Sequence, residues 1–389
     1  MRPLRVLYLI DSLGPGGAQR QLVTLVRSLD PALVTPEVAV YHSLEHFRPE
    51  LEAADVPIHS LRGSGGRDPM VLLGLSRLVA RGGYDIVHSY LRTPGTLARL
   101  AVLSSSATKV VVSERNVDLG HSRLRLSIER LLSKRADAMI TNAEAIAREV
   151  TRLVPAWAGR VHVVPNGLDW TEPTEADRAA AGEFRQRHIG GADRLIAAAG
   201  RVEQQKAPDL LLDALERLPD DLMARLRVVW VGPRIDAGLA ASVESRLSGS
   251  ALSGHVGFVG ETCDMRSVYL GSDAVVLCSR WEGLPNVVLE AMAHGRPVVA
   301  TDVGDTATLV NGGPGKWLVP PNDPIALAAA LGEFVATSSE ELAAMGRAGS
   351  EFVLDNYSTS KLAERTMKVY QEVLERGARK AGRTGPDAD

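Results

Sequence analysis

Arg5-Val6-Leu7-Tyr8-Leu9-Ile10 runs into Asp11-Ser12-Leu13-Gly14-Pro15-Gly16-Gly17 and then into the stretch Ala18–Leu29. The first six residues are apolar at nearly every position, the pattern of a strand buried on both faces of a parallel sheet. The glycine-rich turn that follows opens a segment with helical periodicity. This strand–turn–helix unit recurs along the chain. Further strands are predicted at Glu37–Tyr41, Ile86–Ser89, Lys109–Val112, Ala138–Thr141 and Val161–Val164, with helices at Pro69–Ala80, Leu124–Lys134 and Ala143–Leu153. Pro165-Asn166-Gly167 breaks the pattern. It resumes with strands at Leu195–Ala199, Arg227–Val231, Val256–Val259, Ala274–Leu277, Pro297–Ala300 and Trp317–Val319. Helices are predicted there at Ala207–Leu218, Leu239–Leu247, Asp264–Leu270, Asn286–His294 and Pro324–Val335. Alternation of this kind argues right-handed crossovers and parallel sheets covered by helices. The fold class is therefore α/β: two doubly wound, Rossmann-like domains facing each other across a cleft, with ligands at the strand carboxyl ends. The expected division is 1–168, 169–356, a last helix within 357–376 that either domain can claim, and a polar, disordered tail at 377–389.

Composition bounds the function. The chain of 389 residues carries a net charge of −3, so no bulk basic signal points to nucleic acid. Its two cysteines, Cys263 and Cys278, have no metal-motif spacing and read as reduced thiols of a cytoplasmic protein. The amino-terminal apolar run is too short for a signal peptide, and no apolar run is long enough to span a bilayer. Surface attachment to a membrane stays open. The stretch 121–135 holds Arg123, Arg125, Arg130, Lys134 and Arg135 against Glu129 alone, with leucines between them. It reads as a basic amphipathic helix that either packs on a core or makes peripheral contact with anionic lipid.

Three motifs carry chemistry. Gly14-Pro15-Gly16-Gly17 lets backbone approach a phosphate at a helix start, or is simply a tight turn. A dinucleotide fingerprint fits poorly, because Gln19 stands where it needs Gly or Ala, and Tyr41-His42-Ser43 lacks its acidic residue. Arg201 and Lys206 leave the first strand of the second half, where a basic pair faces the cleft and can grip phosphate oxygens, or is simply solvated surface charge. Glu282-Gly283-Leu284-Pro285-Asn286 ends in a turn feeding a helix that holds Glu290. Backbone N–H groups there suit an anion, and the two carboxylates suit sugar hydroxyls. The zinc-like spacing of His42, Glu45 and His46 falls at a strand exit rather than on a helix, and Asp387 and Asp389 lie in the tail; neither is read as a metal site.

With Gly16-Gly-Ala-Gln19, Asp85-Ile-Val-His-Ser89, Val164-Pro-Asn-Gly-Leu-Asp169, Gly200–Lys206 and Glu282–Glu290 in order, the chain resembles the retaining glycosyltransferases of family 4 from roughly Val6 to Tyr370. The resemblance implies a metal-independent two-domain fold of GT-B type and no cofactor beyond a UDP- or GDP-sugar donor. It implies that Arg201 and Lys206 hold the donor diphosphate, joined by Gly16 and Gly17. Glu282 and the backbone of Gly283, Leu284, Pro285 and Asn286 would meet the donor sugar, and Glu290 the ribose. His88, Tyr90, Arg115 and Asn116 fall to the acceptor side. The final helix would return to the first domain. Three positions depart from the family pattern: Tyr90 replaces a histidine, Ala207 a glycine, and Asp305 with Thr308 a glycine and an acid. The expected partner is a glycan, lipid-linked or small-molecule acceptor, and the expected location cytoplasmic, with peripheral contact at the inner membrane face. A nucleotide-sugar epimerase and a non-catalytic nucleotide-sugar binder are the alternatives.

Overall fold

The computed structural model describes residues 2–63, 65–104, 107–115, 123–262, 264–313 and 315–382. The chain forms two compact units, Met1–Asp169 with Thr359–Asp389, and Trp170–Ser358.

The first unit holds a seven-stranded sheet in the order β3-β2-β1-β4-β5-β6-β7. Its strands are β1 (Leu4–Leu9), β2 (Val34–Val40), β3 (Ile58–Ser60), β4 (Ile86–Tyr90), β5 (Lys109–Glu114), β6 (Ala138–Thr141) and β7 (Val161–Val163). The second unit holds a six-stranded sheet in the order β10-β9-β8-β11-β12-β13. These are β8 (Arg194–Ala199), β9 (Leu226–Val231), β10 (Val256–Gly260), β11 (Ala274–Leu277), β12 (Val298–Thr301) and β13 (Trp317–Val319). Every pairing is parallel. In each sheet the winding reverses once, between β1 and β4 and between β8 and β11. A crevice opens at such a reversal, because the loops on either side leave toward opposite faces.

Several elements differ from the sequence reading. β3 escapes it because three residues at an edge carry no recognisable pattern. The helix Arg92–Ala101 contains Pro94 and Gly95, which read as breakers but sit in its first turn, where an unpaired N–H costs nothing. The helix Glu175–Ile189 is charged nearly all round and buries only Ala181 and Phe184; a capping box from Thr174 and Asp177 starts it instead. The helix Ser339–Tyr357 was also missed. Its Gly346 lies where a Cβ would come 2.0 Å from the Gly295 carbonyl oxygen, so backbone packs on backbone.

The last helix, Thr359–Gly382, belongs to the first unit and runs past the expected end at Arg376, into the tail read as disordered. Leu362, Val369, Tyr370 and Val373 share one apolar core with Val6, Tyr8, Ile86 and Tyr90. A buried polar chain threads that core. The Tyr370 hydroxyl donates to Tyr8 at 3.0 Å and meets His88 Nδ1 at 2.6 Å, while His88 Nε2 meets Ser113 Oγ at 2.8 Å. A neutral imidazole protonated on Nδ1 satisfies every partner. Burial, reinforced by the Arg115 charge, pushes the His88 pKa down to about 3. At the other end of the helix, Gln21 exchanges two hydrogen bonds with the backbone of Gly167, at 2.9 and 2.8 Å. Gly167 is pressed against Leu362, with only 2.8 Å left for a Cβ.

The helix Arg123–Leu132 turns Glu129 inward. That carboxylate takes both guanidinium nitrogens of Arg99 at 2.8 Å and the Trp157 indole N–H at 3.1 Å. Ile128 and Leu131 are exposed. His121 and Ser122 lie outside the described residues. Among the described residues, no helix is long and apolar enough to cross a membrane.

Removing the Tyr370 hydroxyl strands His88 Nδ1 and Tyr8 in the core. Tyr370→Phe is expected to cost about 1–3 kcal/mol in urea unfolding followed by circular dichroism. An unchanged midpoint would show that apolar packing alone holds the last helix.

Candidate functional site

In the second unit two of the expected donor residues meet at the β8/β11 reversal, while Arg201 and Glu290 take other partners. Lys206 follows β8 and Glu282 follows β11; 76 residues apart in sequence, they form an ion pair at 2.5 Å. Ser279 Oγ donates to the same Glu282 oxygen at 2.7 Å, and Gln205 Nε2 to the other at 3.3 Å. A carboxylate offers about four acceptor positions, so room remains for a hydroxyl donor. Gln205 also bonds the Trp281 carbonyl at 3.0 Å, and the Arg280 N–H donates to the Gln205 carbonyl at 2.8 Å. The two loops are thus stitched through backbone as well as through the ion pair. Arg201, more than half exposed, pairs with Glu203 at 2.8 Å.

Ala207 explains how Lys206 reaches Glu282. Its φ of 51° and ψ of 56° are left-handed, a turn that costs a non-glycine residue about 1–2 kcal/mol. The turn folds the Lys206 stem across Gly200, 3.1 Å from where a Cβ would sit. The Cys278 thiol, its pKa pushed up to about 12 mainly by burial, donates to the carbonyls of Lys206 and Ala207 at 3.1 and 3.3 Å. Cys263 lies outside the described residues.

The helix Asn286–Ala293 begins behind Pro285, which supplies no side-chain cap. The adjoining Gly283 carbonyl accepts from the Asp305 N–H at 2.9 Å. Gly304 has φ 59°, and a Cβ there would come within 2.2 Å of that same carbonyl oxygen. A glycine is therefore obligatory at 304, whereas its neighbour Asp305 is buried and Thr308 is exposed. One turn along the helix, Glu290 accepts from the Tyr269 hydroxyl at 2.7 Å. Burial and the Glu290 charge hold the Tyr269 pKa well above its usual value, so it stays a donor. The Tyr269 ring stacks on His294, whose Nδ1 lies 2.7 Å from the Glu290 carbonyl oxygen.

In the first unit, Gly16 precedes the helix Gly17–Ser28 and gives it no side-chain cap. Gln19 folds back to donate to Asp11 at 3.0 Å. Tyr90 is buried, with the Arg115 guanidinium 5.0 Å from its ring centre. Arg115 donates to Asn166 of the Pro165-Asn166-Gly167 turn. Burial lowers the Arg115 pKa and raises that of Tyr90. His88 differs from the acceptor-side expectation: both its ring nitrogens are spent in the core, leaving no atom for a substrate. Asn116 lies outside the described residues. A polar cavity of about 780 Å³ opens at the carboxyl ends of this sheet, lined by Asp11, Tyr41, His42, Arg67, Arg92 and Glu114 among others.

Sequence reasoning missed Ser279, Tyr269 and Asn166. Ser279 carried a weak signal, three residues before Glu282 on one loop. Nothing in the sequence links Tyr269 to Glu290. Asn166 stood in a quoted motif without a role.

Two doubly wound domains whose polar residues collect at the winding reversals define the GT-B class of fold. Solved structures agree in fold. Anabaena HepE in complex with UDP aligns with a TM-score of 0.81, 19% identity, 95% of this chain and 100% of that one. Sucrose-phosphate synthase from Thermosynechococcus elongatus aligns with a TM-score of 0.75, 18% identity, 96% of this chain and 100% of that one. Residues 15–172 match the family described as Glycosyltransferase Family 4, and residues 193–370 the one described as Glycosyl transferases group 1. A D-inositol 3-phosphate glycosyltransferase from Thermobispora bispora is 30% identical over 375 residues, 90% of this chain and 84% of the relative. One from Geodermatophilus obscurus is 33% identical over 269 residues, 64% of this chain, and the match spans 59% of that relative's length. The chain belongs to glycosyltransferase family 4.

The Tyr269 hydroxyl fixes the direction of Glu290. On the ribose role that the resemblance implies for Glu290, Tyr269→Phe is expected to weaken UDP binding about fivefold to tenfold, the value of one hydrogen bond of ~1 kcal/mol, measured by calorimetry. Equal affinity would detach Glu290 from the nucleotide.

Proposed function

We propose that this chain is a retaining, metal-independent glycosyltransferase that moves a sugar from a UDP- or GDP-sugar to an acceptor hydroxyl. The observation that carries the reading is the joining of Lys206 and Glu282 at one switch point, beside a helix start without a side-chain cap. Binding of UDP, and of UDP-glucose, by the HepE neighbour favours a uridine donor.

The hard step is breaking the bond from the sugar C1 to the diphosphate oxygen. Negative charge grows on the leaving group as the sugar gains oxocarbenium character. Arg201, Lys206 and the N–H groups at the start of Asn286–Ala293 stabilise that charge where a metal would otherwise do so. Lys206 shares its ammonium between Glu282 and the incoming diphosphate, and Ser279 and Gln205 keep Glu282 in place meanwhile. Glu282 then accepts from a donor-sugar hydroxyl, and Glu290 from the ribose. The acceptor oxygen bonds to C1 on the face the diphosphate leaves, and its proton passes to a diphosphate oxygen. Tyr90 and Arg115 position this region of the first unit, and Gly16 and Gly17 contribute helix-start N–H groups.

The acceptor reading rests on the cavity beside Asp11 and Arg92. Its mixed charges and hydroxyls suit a hydroxyl-rich acceptor that also carries charge. A phosphorylated polyol of the kind named for the relatives belongs to that class. The exposed Ile128 and Leu131, with Arg130 and Lys134 near them, support peripheral contact with an anionic membrane face.

The test is a proton NMR assay of UDP-glucose with D-inositol 3-phosphate and with lipid-linked or glycan acceptors. The expected product keeps the donor's anomeric configuration, and EDTA leaves the rate unchanged. An inverted product, or a rate abolished by EDTA, would overturn the retaining or the metal-free part. Epimerised donor formed without acceptor would move the reading to an epimerase, and binding without turnover to a sensor. Lys206→Ala is expected to lower kcat by about 10²–10³ while the melting transition persists; wild-type turnover would sink the phosphate assignment.

A further inference from the structure

Lys206 and Glu282 lie in loops beyond the carboxyl ends of their strands. The amino ends of β5, β6 and β7 hold a second basic cluster. Lys109 opens β5, Asp137 immediately precedes β6, and Arg160 immediately precedes β7. Together with Lys134, Arg135 and, from the last helix, Arg376, they line a cavity of about 420 Å³. Five cations thus face one carboxylate.

That carboxylate is largely committed. Asp137 accepts from the Val110 N–H at 2.9 Å and meets Lys109 only at 3.7 Å. Arg376 has Glu372, one turn back, at 3.5 Å, and Glu372 also faces His162 at 3.9 Å. Arg160 makes no direct ion pair among the described residues, although the Asp137 charge is near it; its guanidinium bonds the carbonyls of Ser133, Ala136 and Ala156 at 2.9, 2.6 and 2.5 Å. Lys134 and Arg135 are exposed and form no hydrogen bond or ion pair with any described residue. Burial lowers the Arg160 pKa, the Asp137 carboxylate opposes that, and the nearby Arg376 charge adds to the lowering. Five cations converge here against Asp137 in the wall and Glu372 beside Arg376, an excess of positive charge that costs energy unless an anion is present.

The cluster is also built rather than scattered. Its cations come from a strand start, a 3₁₀ turn (Ser133–Arg135), the residue before β7 and the last helix. Gly377 lets the Lys109 side chain lie on that helix, since a Cβ there would sit 2.5 Å from Lys109 Cε and 2.7 Å from Nζ. The exposed Leu103 forms an apolar part of the same wall.

We propose that this cavity is a second anion site, distinct from the donor site, that binds a compact ligand carrying two or more phosphate charges. A multiply charged anion bridges Lys109 and Lys134 of the sheet side to Arg376 of the last helix. It therefore pins to the first unit a helix that the chain reaches only after completing the second. A soluble polyphosphate and a phosphomonoester lipid headgroup present the same chemistry, and Leu103 stands where an acyl chain would follow a headgroup.

The probe is inorganic tripolyphosphate, titrated by calorimetry into full-length Lys206→Ala protein, in which the donor site has lost its lysine, so that the Lys134 and Arg376 substitutions read the cavity alone. One site is expected, with affinity falling as salt rises. Lys134→Gln with Arg376→Gln, made on that background, is expected to weaken it by more than about tenfold, since each cation near a clustered anion is worth ~1 kcal/mol. These residues sit on different elements, so only a ligand in the cavity feels both. In a second arm, wild-type protein is sedimented with phosphatidylcholine vesicles with and without phosphatidic acid. Binding that needs phosphatidic acid and is lost in the Lys134→Gln, Arg376→Gln protein identifies a lipid headgroup. Tripolyphosphate binding without vesicle binding identifies a soluble ligand. No tripolyphosphate binding to the Lys206→Ala protein, or affinity unchanged by the double substitution with melting intact, overturns the proposal.

Discussion

One adjacency brings the candidate donor residues of this chain together. β11 lies beside β8, in the register Ala274↔Ile196 to Val276↔Ala198, so the loops leaving both strands emerge side by side. Lys206 and Glu282 meet because of that pairing and for no local reason. The consequence is electrostatic. A lysine and a carboxylate at 2.5 Å neutralise each other, so neither charge stands uncompensated in a largely buried place. In the proposed function, a diphosphate exchanges one partner of Lys206 for another instead of creating a new charge pair.

The same economy governs the first unit, with the opposite purpose. His88 resembles a site residue in sequence, but Tyr370 and Ser113 occupy both nitrogens and burial keeps the ring neutral. A histidine so depressed carries a sign for stability. The unfolded chain binds its proton near pH 6.5 and the folded chain only near pH 3, so this group favours folding less as pH falls through that window. It links β1, β4, β5 and the last helix. The polar residues of this core specify which helix packs there, while its many apolar neighbours supply the bulk of the burial energy.

Ala207 shows how a departure from the family pattern is tolerated. The left-handed turn is needed to send Lys206 back over Gly200, and a glycine would adopt it freely. The alanine methyl is fully buried, and its burial returns roughly 0.8 kcal/mol of the conformational cost. Gly304 has no such latitude, because the obstacle to a side chain there is backbone carbonyl oxygen rather than a torsional preference.

Patterning along the chain is enough to define the class of fold, since short apolar runs alternating with helical periods are buried as parallel sheets between helices. All six strands of the second unit were legible for that reason. The sequence by itself also determined which residue types could hold a diphosphate and hydroxyls, because Arg201, Lys206, Glu282 and Glu290 sit at fixed distances from strand and helix ends. Tertiary structure alone decided which of them touch. Tyr269 reaches Glu290 across the space between two helices, Ser279 and Gln205 converge on Glu282 from different loops, and Lys109, Lys134 and Arg376 meet in one cavity. Contacts of that kind arise from strand order and helix packing, which couple residues far apart in the chain. Periodicity and spacing report only on neighbours a few positions away.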